Sequence, residues 1–500
     1  MKDGEPRQRR LVVMTVGVVI VMLLMIPDPA SAQIDSKHFS LHGFVRGHFS
    51  MNLQDPPETE QDDAYDLSMV RGTLYLEANA FWDWGAITLV GRADKEYKTD
   101  YLERLDDLSS IDLMGQYDNL DMREWYADFF IGKKVTLRVG KQQVVWGKTD
   151  FFRGMDIIHG FDFTWRSFLE VENEQLRKPL ILGNLQIEVP KAKGSLQLLV
   201  RPGWDRDKDI GNTYDLFGGR WANQPNKGVN FLEGVPYNWH HSSGDTDDAN
   251  YGFRWYGTLG KVEYSLAYYK TLNLDPVVNT IFNPFGDAPL NGFGEFIYPE
   301  VDMYGLSLNY YWPAPDMVIR TEISMTADQP YNIGTNFFDG VLPGFGGVIQ
   351  KNTVRTMVAL DKQMRWAQKI LGASRPAFFN FQIFDTWLTD FKREDDIVAL
   401  AGFGAPINAH TTILTVILGW NYKNDRINPT IAAGVDATNG GGFVIPSVEF
   451  AWGNHWRLRL EADLFWNSGS KLPGEIEQDT YLFGYFANNN QLVSRLTFQF

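Results

Sequence analysis

The chain has 500 residues, no cysteine, a formal net charge of −16 and 44% hydrophobic residues, with a mean hydropathy of −0.26. This composition excludes a bundle of membrane-spanning helices, because each helix needs a run of roughly 20 apolar residues. The acidic balance argues against a nucleic-acid partner, since such proteins carry a basic surface.

The first 32 residues have the organisation of a secretory signal peptide. A basic start is followed by an uninterrupted apolar run over residues 11–26, and Ala30-Ser31-Ala32 supplies the small residues of a cleavage site. We predict that residues 1–32 are removed on export, with an uncleaved anchor as the alternative. The absence of cysteine suits an oxidising compartment such as the periplasm.

From Phe39 onward, apolar and polar residues alternate in segment after segment. In residues 39–51, for example, Phe39, Leu41 and Val45 alternate with His42 and Arg46. Period-two alternation predicts strands with one apolar and one polar face. The predicted strands are 39–51, 70–82, 87–94, 120–132, 134–145, 178–190, 194–202, 250–260, 261–271, 301–312, 316–327, 352–363, 375–386, 410–422, 426–437, 442–452, 454–466 and 490–500.

So many strands of about ten residues predict a transmembrane antiparallel β-barrel over residues 33–500. Lipid cannot satisfy backbone hydrogen bonds, so strands cross a bilayer only in a closed sheet, with apolar residues facing lipid and charged residues facing a wet lumen. Segment 480–486 would make the count odd, and we assign it to a loop. The predicted number is eighteen strands, with sixteen as the alternative.

Predicted connections alternate between short and long, apart from one short exception at 438–441. Outer-membrane barrels place short turns in the periplasm and long loops outside, which predicts the orientation. The short turns are flanked by residues typical of an aromatic girdle, namely Trp82, Trp84, Trp312, Trp420, Tyr422, Trp452 and Trp456.

The last predicted strand ends on Phe500, with Phe498 on the same face. A closing strand of this kind resembles the signal read by the outer-membrane assembly machinery. We expect that machinery, together with outer-membrane lipid and lipopolysaccharide, to be partners of the chain. The first strand begins shortly after Gln33, which predicts a barrel without an N-terminal plug domain.

The stretch from Leu137 to Pro190 resembles the signature of a proteobacterial outer-membrane β-barrel family of unknown function, which is similar to alginate-export and porin-type barrels. The matching residues are Gly140, Lys141, Gln142, Trp146, Gly147, Arg153, Asp156 and Asp162. One departure is His159-Gly160, where the family has Asn-Pro. The resemblance implies a barrel for organic or polymeric solutes, with a periplasmic carrier and an inner-membrane exporter as further partners.

Residues 146–177 form a long predicted loop that is rich in charge, from Lys148 to Glu174. Long loops in compact proteins are usually functional or disordered. We predict that this loop folds back into the lumen and constricts it. The alternative is a charged loop outside the barrel.

The polar faces of the predicted strands carry arginines and carboxylates in equal number. One interpretation is cross-strand ion pairing that stiffens the wall, and the other is a series of guanidinium groups that guides an anionic solute. The balanced charge favours ion pairing. The predicted channel-lining residues are Arg46, Arg71, Arg92, Arg138, Arg254, Arg320, Glu322, Arg355, Arg457, Arg459 and Glu461.

The longest predicted loop contains Asp205, Asp207 and Asp209, whose alternate carboxylates could converge on calcium. Gly211 falls at the seventh position of this motif rather than the sixth, and no glutamate closes the site. The alternative is a solvated acidic loop. Apart from this possible calcium, the sequence predicts no cofactor.

No recognisable nucleophile, zinc or phosphate-loop motif occurs in the sequence, so we predict that the protein is not an enzyme. The favoured hypothesis is an outer-membrane channel of the porin or export type in a Gram-negative bacterium. A structural barrel that sheathes a partner or electron carrier is the alternative, followed by an outer-membrane hydrolase.

Overall fold

The computed structural model describes residues 34–56, 59, 61–109, 111–170, 172–216, 218–222, 235–290, 292–334, 344–399, 405–467 and 481–500. The signal peptide predicted for residues 1–32 lies outside the described residues. Over the described ranges, no helix is long and apolar enough to cross a membrane.

Eighteen antiparallel strands form one closed barrel of the transmembrane type. Each strand pairs with the next along the chain, and the last pairs with the first. The prediction of eighteen strands is confirmed and the alternative of sixteen is wrong. The strands are β1 (Phe39–Asn52), β2 (Leu67–Trp82), β3 (Gly85–Glu96), β4 (Asn119–Ile131), β5 (Val135–Gln142), β6 (Leu180–Val189), β7 (Gly194–Arg201), β8 (Asn250–Leu259), β9 (Val262–Leu272), β10 (Glu300–Trp312), β11 (Met317–Ile333), β12 (Gly347–Met364), β13 (Ala377–Leu388), β14 (His410–Gly419), β15 (Ile427–Asp436), β16 (Gly442–Trp452), β17 (Trp456–Trp466) and β18 (Gln491–Gln499).

The two faces of the sheet have opposite chemistry. On β2, Leu74 and Leu76 are 40% and 37% exposed, whereas Arg71 is 4% exposed. On β17, Leu460 is exposed while Glu461 is buried. Apolar side chains therefore point outward and charged side chains point inward, as a barrel surrounded by hydrocarbon requires.

Exposed aromatic residues lie beside the short connections. Trp82 and Trp84 flank the turn between β2 and β3, and their rings stack with centroids 5.7 Å apart. Trp312 and Trp452 occupy corresponding positions at the ends of β10 and β16 and are also exposed. Such rings favour the boundary between hydrocarbon and water. Which membrane side this end of the barrel faces stays a prediction.

The hairpin of β11 and β12 is longer than the alternation predicted. Its pairing continues to Ile333 opposite Gly347, with a register shift between Thr326 and Gln329. Asp328 has a φ of 46° at this irregularity. The bulge lets pairing resume beyond it, although Asp328 and Pro330 have the composition of a loop.

Short helices occur in the connections. Helix α1 (Asp100–Leu108) and helix α2 (Leu113–Tyr117) lie between β3 and β4 and were not predicted, because nine and five residues are too short for a clear helical period. Helix α3 (Asn173–Leu176) lies between β5 and β6. Helix α4 (Arg365–Leu371) lies between β12 and β13. Within the doubtful segment 480–486, residues 481–486 form no strand, as predicted.

Closure can be tested by a cross-link, because the chain has no native cysteine. Gly43 and Phe500 exchange both backbone hydrogen bonds, at 2.9 and 3.0 Å, so alternation makes Ser50 and Val493 a pair without such bonds. The Cα atoms of such a pair lie about 4.5 Å apart, within disulfide range. We expect the variant Ser50→Cys/Val493→Cys to form an intramolecular disulfide on oxidation, seen on non-reducing gels. Ser50→Cys/Ser447→Cys, which joins β1 to β16, is the matched control and is expected not to cross-link; equal yields in both would contradict closure.

Candidate functional site: a segment inserted into the barrel

Residues 143–179, which connect β5 to β6, form what we call the inserted segment. Its two ends are held together by His159, which is fully buried. The ring nitrogen Nε2 accepts the Val144 N–H at 2.8 Å, and Nδ1 donates to the Lys178 carbonyl at 3.0 Å. Burial, with Arg177 nearby, lowers the pKa of His159 to about 3. The neutral ring therefore joins the two ends of the inserted segment. We call this junction of Val144, His159 and Lys178 the neck.

The residue after His159 also fits its surroundings closely. A Cβ at Gly160 would collide with the backbone carbonyl of Gly211, which belongs to the connection between β7 and β8. The His159-Gly160 pair, at which the sequence departs from the family pattern, thus packs the inserted segment against the neighbouring connection.

The other motif residues shape the start of the inserted segment. Gln142 donates to the Leu182 carbonyl at 3.0 Å, and Trp146 donates from its indole to the Gln197 side chain at 2.9 Å. Gly147 has no room for a Cβ, since Asp156 would lie within 2.9 Å of it. Gly140 has a φ of 131°, and the carbonyl of Trp125 occupies the place of its Cβ.

Three of the four charged motif residues lie within the inserted segment and help to fix its shape. Asp156 pairs with Arg177 at the far end of the inserted segment. Arg153 donates to the Asn212 side chain at 2.9 Å and lies over the Phe161 ring, 3.9 Å from its centroid. Asp162 accepts the Thr164 N–H and hydroxyl at 3.0 and 2.6 Å.

One side of the inserted segment is bonded to β11 and β13. Glu322 accepts the backbone N–H groups of Lys148 and Met155, the second at 2.9 Å. Asp150 accepts hydrogen bonds from Arg320 on β11, at 3.0 Å, and from Gln382 on β13. Charge-assisted bonds of this kind are the stronger class of hydrogen bond.

The other side is bonded to β1, β17 and β18. Arg46 forms two parallel hydrogen bonds of 3.1 Å with Glu172, and Arg495 pairs with Glu170 at 2.9 Å. Arg166 is buried and pairs with Glu461. The inserted segment therefore reaches wall strands on opposite sides of the barrel.

The buried ion pairs of the inserted segment shift the pKa values of its own groups. Burial alone would lower the pKa of Arg166, yet it is raised because Glu461, Asp463 and Glu170 surround it. Burial would raise the pKa of Glu170, yet it is lowered because Arg495 and Arg166 lie nearby. These groups are charged pairs, which satisfy one another away from water.

A second connection packs against the inserted segment. Arg220, between β7 and β8, forms two hydrogen bonds with Glu96 on β3, at 3.0 and 3.1 Å. Asp215 accepts the Trp221 N–H at 3.1 Å, and burial raises the pKa of this carboxyl. Sequence reasoning missed this contribution, since Arg220 belongs to no alternating segment or motif and Asp215 was considered only as one of the loop aspartates.

Most predicted channel-lining arginines form ion pairs on the inner wall. Arg71 and Arg92 both pair with Asp94, at 3.2 and 2.7 Å. Similar pairs, all between 2.7 and 2.8 Å, are Arg138–Asp128, Arg320–Asp361 and Arg459–Glu461. Among the described residues, three of the predicted set have no carboxylate within 4.0 Å, namely Arg254, Arg355 and Arg457.

The predicted calcium residues have separate partners. Asp205 pairs with Arg201 at 2.8 Å, Asp207 accepts the Thr246 hydroxyl at 3.0 Å, and Asp209 pairs with Lys141 at 3.0 Å. Calcium would have to displace these partners, and its binding here stays a prediction. The described part of the chain instead gathers His240, Asp245 and Asp247 on the surface.

His42, His48 and His241 make local structural contacts. His42 lies 3.4 Å from Glu77, and His48 is buried with its ring edge-on to Trp165. His241 contacts the Ser243 hydroxyl at 2.7 Å, but the same nitrogen lies 3.1 Å from the Ser243 N–H. This geometry is that of a local turn rather than of an activated nucleophile, for which the base must be free to take the hydroxyl proton.

The fold and the inserted segment define a transmembrane barrel whose interior is crossed by its own chain. Residues 64–499 match the family described as "Protein of unknown function (DUF1302)". The chain belongs to this family, in agreement with the resemblance drawn from its motif.

Similar solved structures are porins and channels. A BenF-like porin from Pseudomonas fluorescens Pf-5 is 10% identical with a TM-score of 0.47, covering 93% of this chain and 98% of its own. Acinetobacter baumannii OccAB1 is 10% identical with a TM-score of 0.47, covering 92% and 95%. Salmonella typhi OmpF, in complex with daunomycin, is 8% identical with a TM-score of 0.41, covering 94% and 100%. No curated protein matches this sequence.

The neck should loosen in mild acid. When the neck opens, the freed His159 regains its ordinary pKa of about 6.5 and binds a proton below that pH, whereas the closed ring stays neutral down to about pH 3. Closure therefore weakens as pH falls below 6.5. We expect exchange protection of the Val144 amide, corrected for intrinsic rates, to fall about tenfold between pH 7.5 and 5.5.

The matched control is His159→Gln, which keeps a donor and an acceptor but does not titrate. In this variant the protection of Val144 should not follow the same pH dependence. An identical fall in both proteins would show that another group controls the neck.

Proposed function

We propose that the protein is a channel in the outer membrane of a Gram-negative bacterium that passes organic solutes. The observation that best supports this proposal is a closed barrel whose charged interior is crossed, but not filled, by the inserted segment. Cavities of about 270 and 540 Å³ lie beside it, and a third of about 430 Å³ shares lining residues with the first of these. A barrel of eighteen strands is wide enough for an aqueous passage when nothing obstructs it.

In this proposal, residues 146–177 act as the constriction. They are fastened on one side through Glu322 and on the other through Arg46 and Arg495. Because the attachments are side-chain contacts rather than sheet pairing, the constriction can shift without breaking the barrel. Interior loops that narrow a barrel set which solutes enter it.

The proposed setting follows from the surface of the barrel. Its exposed apolar band would contact outer-membrane lipid, and its ends would contact lipopolysaccharide and the periplasm. Export with a periplasmic carrier and an inner-membrane exporter remains one proposed mode of use. The chain would reach this membrane through the assembly machinery after removal of residues 1–32.

The interior also bears on the alternative functions. A barrel that sheathes a partner protein needs an open lumen, but here the described residues of the inserted segment cross it and leave cavities of a few hundred Å³. A hydrolase needs an accessible nucleophile beside a free base. The occupied interior argues against the sheath, and the histidine contacts described above argue against the hydrolase. The channel is therefore the function best supported.

Deleting residues 150–172 and joining the ends with a Gly-Ser linker tests the constriction. This removes Arg166, Glu170 and Glu172 while leaving all eighteen strands intact. We expect single-channel conductance in planar bilayers to rise about twofold or more, since conductance follows the free cross-section. Unchanged conductance in the deletion variant would contradict a constricting role.

A milder change tests the attachment itself. Glu322→Ala removes the acceptor of two backbone N–H groups, and we expect the inserted segment to fluctuate, giving more frequent conductance steps in single-channel records. Glu77→Ala is the matched control, because Glu77 bonds to Asn79 on its own strand. Equal noise in both variants would argue against Glu322 as an anchor.

A further inference from the structure

Two neighbouring cavities share part of their lining, and the second of them borders the inserted segment. The first, of about 430 Å³, is lined by apolar side chains that include Val277, Leu388 and Ile413. The second, of about 270 Å³, is lined by the rings of Phe151, Phe152, Phe163 and Phe168. The two cavities meet at the residues that line both, namely Tyr214, Asn273, Asp275, Gln329, Arg355 and Leu482. Together they have the size of a small-molecule site.

Arg355 lies at the junction of the two cavities and is only half-buried. Its guanidinium donates to Thr326 Oγ1 at 3.3 Å and to Gln329 Oε1 at 3.0 Å, and both partners are neutral. No carboxylate of the described residues lies within 4.0 Å of it. A guanidinium has five N–H donors in a fork that matches a carboxylate, so most of its hydrogen-bonding capacity is unused.

The carboxylates that line the cavities have other partners. Asp156 pairs with Arg177, and Asp275 accepts the Tyr214 hydroxyl at 2.7 Å and the Asn212 amide. Asp436 accepts two backbone N–H groups, at 3.0 and 2.8 Å, and a side-chain amide at 2.9 Å. Arg355 thus differs from the charged groups around it in facing the space with unused donors.

Arg153, the other arginine of the second cavity, is largely occupied. It donates to Asn212, and its guanidinium lies 3.9 and 5.2 Å from the centroids of the Phe161 and Phe163 rings. It adds positive charge to the same space without any described carboxylate partner within 4.0 Å. Asp275 also lines the junction, but its carboxylate already accepts the Tyr214 hydroxyl and the Asn212 amide, so the unused donors that a ligand would meet there are those of Arg355, and the walls on both sides are largely apolar.

We propose that these joined cavities bind an amphipathic organic anion, an aromatic or aliphatic carboxylate. Its carboxylate would accept two hydrogen bonds from Arg355, and its hydrocarbon part would lie against the phenylalanine rings or the aliphatic lining. This inference rests on the proposed channel function and names the class of solute that the channel selects. Bidentate pairing and burial of apolar surface provide specificity and affinity respectively.

The test uses the full chain, purified in detergent, and isothermal titration calorimetry with 4-phenylbutyrate as the probe. The neutral 4-phenylbutanamide and the cationic 4-phenylbutylamine have the same hydrocarbon part and serve as ligand controls. We expect the anion to bind at least about tenfold more tightly than either control, since only it can use the guanidinium fork. Equal or tighter binding of the amide or the amine would overturn the proposal.

Variants then locate the site. Arg355→Gln should lower the affinity for 4-phenylbutyrate about tenfold or more, and Arg355→Lys should give an intermediate affinity because it keeps the charge without the fork. Arg254→Gln, which removes an interior arginine that lines neither cavity, should leave the affinity unchanged. An unchanged affinity in Arg355→Gln would overturn the assignment. The ligand comparison on the unaltered protein does not depend on the folding of any variant.

These experiments distinguish failure of the anion-site proposal from failure of the channel proposal. Conductance without selective binding of the anion would overturn the anion site and leave the channel proposal in place. Selective binding in a protein that forms no pores would support the anion site and count against the channel.

Discussion

The closed ring of backbone hydrogen bonds is the constraint on which the rest of the structure depends. In a bilayer no water is present to satisfy a free strand edge, so β1 and β18 must pair. They do so from Phe44 opposite Gln499 to Asn52 opposite Gln491. Once the sheet is closed, alternate side chains necessarily meet different surroundings, and the inward set must be polar or be covered by chain. The charged wall and the inserted segment both follow from this condition.

Inside the barrel, buried charged residues pair with partners that lie far away in the sequence. A buried ion pair gains little net stability, because desolvation offsets the attraction, but removing one partner is costly. Arg166 with Glu461, and Glu170 with Arg495, therefore specify where the inserted segment lies more than they strengthen the fold. By contrast, the hydrogen bonds of Arg355 to other described side chains are with neutral groups, which is the feature on which the proposed anion site rests.

Much of the barrel could be predicted from the sequence, because alternation such as Leu460 beside Glu461 directly reflects which side faces lipid. The parity of the strands and the lengths of the connections were enough for the count of eighteen. The extra length of β11 was missed, because Asp328 and Pro330 are typical of a loop. The structure instead has a bulge at this point, after which pairing resumes. The motif pointed to the inserted segment, but not to its partners. Arg166 and Glu461 are 295 positions apart, and no local pattern connects them.

Glu172 accepts two hydrogen bonds from Arg46 on the first strand and lies 3.7 Å from Arg495 on the last. The inserted segment thus bridges the first and last strands from inside the barrel. Separation of β1 from β18 would break the contact of Glu172 with Arg46 or that with Arg495. Both contacts of Glu172 can exist together only when the first and last strands lie side by side, so this carboxylate joins the closure of the sheet to the position of the inserted segment.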